Sequence, residues 1–394
     1  MAADQSAPTA LVLGGGAVEV IRSLQLAGIP TAVVSTPSDP SKHSTYARSI
    51  FTWDWSQELD KHDEALADRL VAWALTQPKA PVIFYSSDQA LIFVSRHRDR
   101  LSRGFRFAIP DADLVEAMVD KGLFANLADR MSLPVPATKL ISPEQAAAGV
   151  PDLSDLGYPL IIKPERRDRS WRDIKDTDEI KVKALVVESA ERLREMWPTV
   201  ATLGHTLVAQ QYVLGAESEI ESYHVYADET GEIIAEFTGK KIRTYPVSCG
   251  FTTALAITDV PDVLNMGRKL TEQLDLRGIA KFDFKRSPDG ELLLFEINAR
   301  TSLWNHPGAR AGVNIPAVVY ADLTGRPRPV MAAHPRPVTW VHPKDILAAR
   351  ASGESMRSWA WFALRSQAKA FWNWRDPGPF LGMAISRARS GDFT

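Results

Sequence analysis

Two spacings of apolar residues alternate along the first part of this chain. Ala10–Leu13 is a short, uninterrupted apolar run that Gly14-Gly15-Gly16 closes with a tight turn. Over 17–27 apolar positions recur three and four residues apart, which predicts a helix. Thr31–Ser35 is short and β-branched and reads as a second strand, and 81–85 and 106–109 read as two more. Strands alternating with helices in this way predict a parallel sheet covered by helices.

The pattern changes near Pro110. Residues 113–131 carry one long helical period, ended by Leu133-Pro134-Val135-Pro136. Extended patterns then dominate, at 160–162, 184–188, 206–213, 218–227 and 233–238. Ser287-Pro288-Asp289-Gly290 is a strong turn signal between two apolar strands, and so predicts a hairpin. After Arg328 the composition shifts again. Five of the eleven Trp residues (Trp340, Trp359, Trp361, Trp372 and Trp374) lie there, and basic residues outnumber acidic ones. Residues 356–374 read as one helix, stopped by Asp376-Pro377-Gly378-Pro379. Its aromatic and basic mixture fits a helix packed across the body of the protein with its cations outward, the reading taken here. It also fits a membrane-interface helix.

Length and composition narrow the field. A chain of 394 residues predicts two or three domains. Its 45% hydrophobic and 24% charged residues are an ordinary globular balance, and a net charge of −2 gives no general pull toward nucleic acid. The single cysteine, Cys249, excludes an internal disulfide framework and a cysteine-based zinc cluster. No N-terminal apolar run is flanked by basic residues, and no apolar stretch reaches the roughly 18 residues that would cross a bilayer. The expectation is a cytoplasmic protein.

The sharpest chemical signal is the predicted hairpin, Phe282-Asp283-Phe284-Lys285 followed by Leu292–Asn298. Side chains alternate faces along a strand. Pairing counted back from the turn sets Asp283 near Leu294. That places Asp283, Glu296 and Asn298 on one face, with Phe282, Phe284, Leu293, Phe295 and Ile297 on the core side. Two carboxylates and an amide oxygen that close favour a cation between them. Oxygen donors on a rigid hairpin suit Mg²⁺ shared with phosphates. A merely solvated hairpin face is the other reading of the same pattern.

Phe295-Glu296-Ile297-Asn298-Ala299-Arg300 resembles the terminal metal motif of the ATP-grasp superfamily. The continuation through Trp304, Ala311-Gly312-Val313 and Tyr320-Ala321-Asp322-Leu323 is similar to the carboxylate–amine ligases related to D-aspartate ligase. The resemblance runs from about Leu11 to Leu323. It implies α/β and α+β architecture, with a Rossmann-like N-terminal (pre-ATP-grasp) domain over 1–112, a two-lobed ATP-grasp domain over 113–328 (lobes 113–210 and 211–328) and a helical C-terminal tail over 329–394.

Residue by residue, Lys121 and Lys163 look like the family's two nucleotide lysines. Gln210-Gln211-Tyr212-Val213 resembles the hinge that reads adenine, and Glu217 matches the acid that holds the ribose hydroxyls. Asp283, Glu296 and Asn298 would carry Mg²⁺, with Mn²⁺ as a substitute. Lys281 and Arg300 would be the catalytic cations. The loop after Lys163 normally carries glycines that wrap phosphates. Here 165–183 has none and is rich in Arg and Lys, among which Lys183 is expected to contact phosphate. Lys240, Lys241 and Arg243 are candidates for phosphate or a substrate carboxylate, and Ser41 and His43 for the substrate site of the N-terminal domain.

The implied function is ATP-dependent joining of a carboxylate to an amine through an acylphosphate, releasing ADP and phosphate. The substrates would be small molecules, an amino acid among them, and the assembly a homodimer. Two other classes compete. An NAD(P)-dependent oxidoreductase would use the Gly14-Gly15-Gly16 turn, but the G-x-G-x-x-G fingerprint fails at Glu19, whose charge would also crowd a pyrophosphate. A non-catalytic membrane-associated protein would use the aromatic tail.

Overall fold

The computed structural model describes residues 7–55, 63–165, 184–247, 250–287 and 289–390. Three sheets follow one another along the chain. The first contains β1 (Ala10–Leu13), β2 (Thr31–Ser35), β3 (Ala47–Thr52) and β4 (Val82–Tyr85), all parallel, in the order β3-β2-β1-β4. β1, β2 and β4 are buried along their whole length, because helices cover both faces. The segment 106–109, expected as a strand, makes only an isolated bridge from Arg106 to Val82. The fourth strand is instead β3, whose Arg48 and Ser49 are exposed, as suits an edge.

The second sheet is antiparallel. It contains β5 (Thr138–Ile141), β6 (Leu160–Pro164), β7 (Leu185–Val187) and β8 (Leu207–Gln211), in the order β5-β8-β6-β7. The third contains β9 (Glu221–Ala227), β10 (Ile233–Tyr245), β11 (Phe251–Thr258), β12 (Gly278–Arg286), β13 (Leu292–Asn298), β14 (Thr339–Val341) and β15 (Ala368–Lys369), in the order β13-β12-β9-β10-β11-β14-β15.

Two expected long helices are broken. Residues 113–131 form the helices Ala112–Val119 and Lys121–Arg130, with Asp120 extended between them. The Asp120 carboxylate accepts from the amides of Gly122 and Leu123, so an acid that fits mid-helix acts as a cap. In the tail, the helix Met356–Arg365 stops short of Trp374, because Ala368–Lys369 pairs with β14. The tail therefore adds two strands to the third sheet as well as the helices Asp345–Ala351, Met356–Arg365 and Gly378–Ser390.

Apolar burial divides the molecule differently from the sheets. The first and third sheets share two cores. In one, Leu11 and Leu13 join Tyr223, Phe282, Phe284, Leu294 and Ile297. In the other, Val12 and Val20 join Phe237, Trp304 and Trp340. Trp304 reaches β10 because Gly239 has no side chain; a Cβ there would strike the indole ring. The second sheet has its own core, built among the described residues from 141–209 and centred on Ile162, Leu185, Trp197 and Ala209.

Candidate active site

β12 and β13 form the expected hairpin, with one difference in register. Asp283 pairs directly with Glu296, and Lys281 with Asn298. A bulge between Asp283 and Phe284 leaves Phe295 unpaired and sets Leu294 opposite Phe284. Leu294, at 0% exposure, thus joins Phe282, Phe284 and Ile297 in the core, whereas Leu293 and Phe295, expected there, are only partly buried. A fixed alternation counted from the turn misses the extra residue. The bulge sets Glu296 opposite Asp283, so Asp283, Glu296 and Asn298 share one face of the strand pair. Asp283 and Asn298 are buried and Glu296 is exposed.

Asp283 lies among cations. Its carboxylate accepts from Ser222 Oγ at 2.5 Å and Lys281 Nζ at 2.6 Å, and Lys241 Nζ is 3.8 Å away. Burial alone would raise its pKa. The Lys281 and Lys241 ammonium groups, with the hydrogen bonds from Lys281 and Ser222, reverse this and hold the carboxyl well below its usual range. Asn298 Oδ1 accepts from Arg300 Nη2 at 2.8 Å. Arg300 Nε donates to Asp88 Oδ1 at 2.5 Å, at the start of the helix Asp88–Arg96 that follows β4. Arg300 thereby ties the hairpin to the helix that follows β4 of the first sheet.

The donor set fits a hard divalent cation. All three side chains offer oxygen, and the exposed Glu296 leaves one side open to water, which Mg²⁺ retains. Among the described residues no three His, Cys, Asp or Glu side chains gather into a metal-holding group, so Asn298 would have to complete the set.

The segment between β8 and β9 runs beside the hairpin. Gln210 is buried, and its side chain accepts from Lys163 Nζ at 3.1 Å and donates to Thr138 Oγ1 at 2.9 Å. Gln211 ends β8, and the amide of Tyr212 donates to Pro159 O at 3.2 Å. The Val213 and Gly215 carbonyls both accept from Lys285 Nζ, at 3.0 and 2.7 Å, and the same ammonium lies 5.6 Å from the centre of the Tyr212 ring. Lys285, only 3% exposed, had read as a plain residue of the hairpin strand. A cleft of ≈ 480 Å³ opens here, lined by Leu214, Gly215, Glu219, Glu221, Lys240, Arg286 and Ser287. Glu217, half-buried at the start of a short 3₁₀ turn, is not part of that lining; Glu219 and Glu221 are. Lys121 Nζ donates to Pro164 O at 2.7 Å, next to Lys163 on β6. Lys183 lies outside the described residues.

Three expected site residues stand elsewhere. Arg243 is committed to the tail, with Nε and Nη2 on the fully buried Asp345 carboxylate (3.0 and 2.6 Å) and Nη1 on Glu354 (2.7 Å). A guanidinium engaged in this way has no fork left for a substrate. The His43 backbone and ring pack against Gly378 and Gly382 of the last helix. Ser41 is fully buried in the same turn, whose neighbours Ser44 and Thr45 bind Asp376. The 41–46 segment holds the tail. Glu19 also turns inward, accepting from Trp340 Nε1 at 3.0 Å and lying 3.1 Å from His306 Nδ1, so it faces no pyrophosphate.

His224 completes the site face and had no sequence signal beyond strand alternation from Ser222. It pairs with Lys281 across β9 and β12, and its ring stacks on Phe237 at 4.4 Å and tilts against Trp304 at 5.0 Å. Burial, then the charge of Lys281, push its pKa well down, with Asp283 opposing. The native ring stays neutral where the histidine of the unfolded chain takes a proton, near pH 6.5. Its contribution to stability is therefore complete above about pH 6.5 and is lost as the pH falls through that value. For the nucleotide-free protein, the urea midpoint is expected to drop between pH 7.5 and 5.5, and His224→Phe, which keeps the stack, to drop less. Equal drops in the two proteins would remove His224 as a cause.

No protein-family model matches the chain, and no curated protein matches it by sequence. Solved structures do match by shape. An N5-carboxyaminoimidazole ribonucleotide synthetase in its ADP complex superposes with a TM-score of 0.61 at 15% identity, covering 84% of this chain and 81% of the other. A biotin carboxylase from Campylobacter jejuni, in a βγ-ATP complex, gives 0.61 at 14%, covering 85% and 75%. An L-amino acid ligase from Bacillus licheniformis gives 0.57 at 14%, covering 82% and 75%.

Proposed function

We propose that this chain, whose fold is that of the ATP-grasp superfamily, is an ATP-dependent ligase joining a carboxylate to an amine. The observation that carries the reading is the hairpin. Asp283 and Glu296 face each other across paired strands with Asn298 beside them, and Lys285 of the same strand as Asp283 fastens the hinge. In this reading Asp283, Glu296 and Asn298 hold Mg²⁺, which when bound neutralises phosphate oxygens. The Lys121 and Lys163 ammonium groups face the phosphates as point charges, and the backbone of Gln210-Gln211-Tyr212-Val213 meets the base. Lys281, Lys241 and Arg300 surround the reacting carboxylate with positive charge. The γ-phosphoryl group passes to that carboxylate and ADP leaves; the amine then attacks the acyl carbon and phosphate leaves. The work is positioning and electrostatics.

The nicotinamide reading is disfavoured by the glycine turn. The Gly16 amide, which a pyrophosphate would use, already donates to the Asp39 carboxylate at 2.5 Å.

The deciding experiment is ADP release over a panel of amino acids paired with amines, with product mass spectrometry. The narrower resemblance to D-aspartate ligase puts D- and L-amino acids in that panel. ADP and an amide appearing together support the reading; a panel without ADP, with no Mg-ATP binding, overturns it. A second outcome concerns Lys285. Lys285→Met removes the ammonium that fixes two hinge carbonyls, hydrogen bonds of a kind worth about 1.5–3 kcal/mol each. The KM for ATP is expected to rise roughly tenfold or more, with kcat little changed. A fall in kcat at constant KM would place Lys285 in the chemical step instead.

A further inference from the structure

We propose that the outward face of the C-terminal segment docks on an anionic lipid bilayer surface. The helix Met356–Arg365 has no buried residue, yet it carries Trp361 at 57% and Leu364 at 71% exposure. At the helical period Arg357, Trp361, Leu364 and Arg365 share one side. Trp359 and Phe362 take the other, where Trp359 Nε1 donates to Asp345 and Phe362 lies under the Arg243 guanidinium. The helix is thus fastened by one edge and offers its most apolar side chains to the outside. Trp374 at 83% and Leu381 at 54% exposure follow within twenty residues.

The charge of this segment selects the partner. Between 356 and 384 stand four basic side chains, Arg357, Arg365, Lys369 and Arg375, and one acid, in a chain whose net charge is −2. That acid, Asp376, is fully buried beside Arg22, so it does not offset the exposed Arg357, Arg365 and Arg375. The Arg365 guanidinium lies 4.3 Å over the Trp361 ring. Here each exposed aromatic has an arginine near it in sequence, an arrangement suited to a headgroup layer, where indole rings lie at the boundary and arginines reach phosphate. Among the described residues no helix is long and apolar enough to cross a membrane, so the contact is peripheral.

The test uses the full chain in co-sedimentation with vesicles of phosphatidylglycerol and phosphatidylcholine, and with phosphatidylcholine vesicles alone. The protein is expected to pellet with the anionic vesicles, to release at high salt and to shift its tryptophan emission to the blue. Trp361→Ser with Leu364→Ser and Trp374→Ser should cut the partition roughly tenfold or more, and Arg357→Glu with Arg365→Glu should abolish the preference for anionic lipid. All five positions are exposed, so an unchanged thermal midpoint confirms that both variants fold. No pelleting, equal pelleting with both vesicle types, or pelleting untouched by the variants overturns the proposal. So does a self-associated form that the serine variant dissolves without any vesicle binding, which assigns the face to a second copy. None of these outcomes depends on ligase activity.

Discussion

Glu296→Gln is expected to lower ATP-dependent ADP release by about 10²–10³-fold while the thermal midpoint stays in place. Removal of one preorganised electrostatic group at a reacting centre typically has this effect on kcat. Glu296 is the right position for the test because it is exposed, so its charge contributes little to the fold. Asp283 is not. Its carboxylate compensates Lys281 and Lys241, and Asp283→Asn would leave both ammonium groups without the charge that they share. Loss of activity there would confound chemistry with stability. Steady-state ADP release and Mg-ATP binding decide the matter, and wild-type values for both in Glu296→Gln would end the metal assignment.

Asp345→Ala is expected to be the most damaging substitution away from the site. The fully buried carboxylate accepts from Arg243, Thr253 Oγ1 (2.7 Å) and Trp359 Nε1 (3.1 Å), joining the tail to β10 and β11. Breaking a buried pair from one side leaves the partner charge uncompensated, at a cost of about 3–5 kcal/mol. Arg243 retains Glu354, which tempers the loss. Denaturant unfolding should show a midpoint well below wild type at unchanged slope. A loss under about 1 kcal/mol would mean that Arg243 finds water instead.

What could be read in advance follows from where local pattern and tertiary packing agree. Ala10–Leu13 and Thr31–Ser35 were legible because buried parallel strands are apolar throughout. The acid-and-amide face of the hairpin was legible because alternation survives in a strand pair, even though the bulge at Phe295 shifted the register. Asp120 was misread because its helix-capping role depends on backbone angles that a periodic pattern does not contain. Lys285 was missed because nothing local distinguishes a lysine on solvent from one aimed at two carbonyls. Arg243 was misplaced because its partners lie about a hundred residues downstream. β14 and β15, of three and two residues, are too short to carry a period, so the tail read as helical alone.

The small sheet's private core has a mechanical corollary. The described apolar residues between 141 and 209 pack on one another rather than on the other two sheets. Of the contacts that restrain this lobe, the Lys121–Pro164 hydrogen bond and the Tyr212–Pro159 amide bond are polar and local. Rotation of the lobe as one body would therefore break polar contacts before apolar ones, and motions of that kind run on the microsecond-to-millisecond scale. The 213–215 segment, whose carbonyls Lys285 holds, marks the end about which such a rotation would turn.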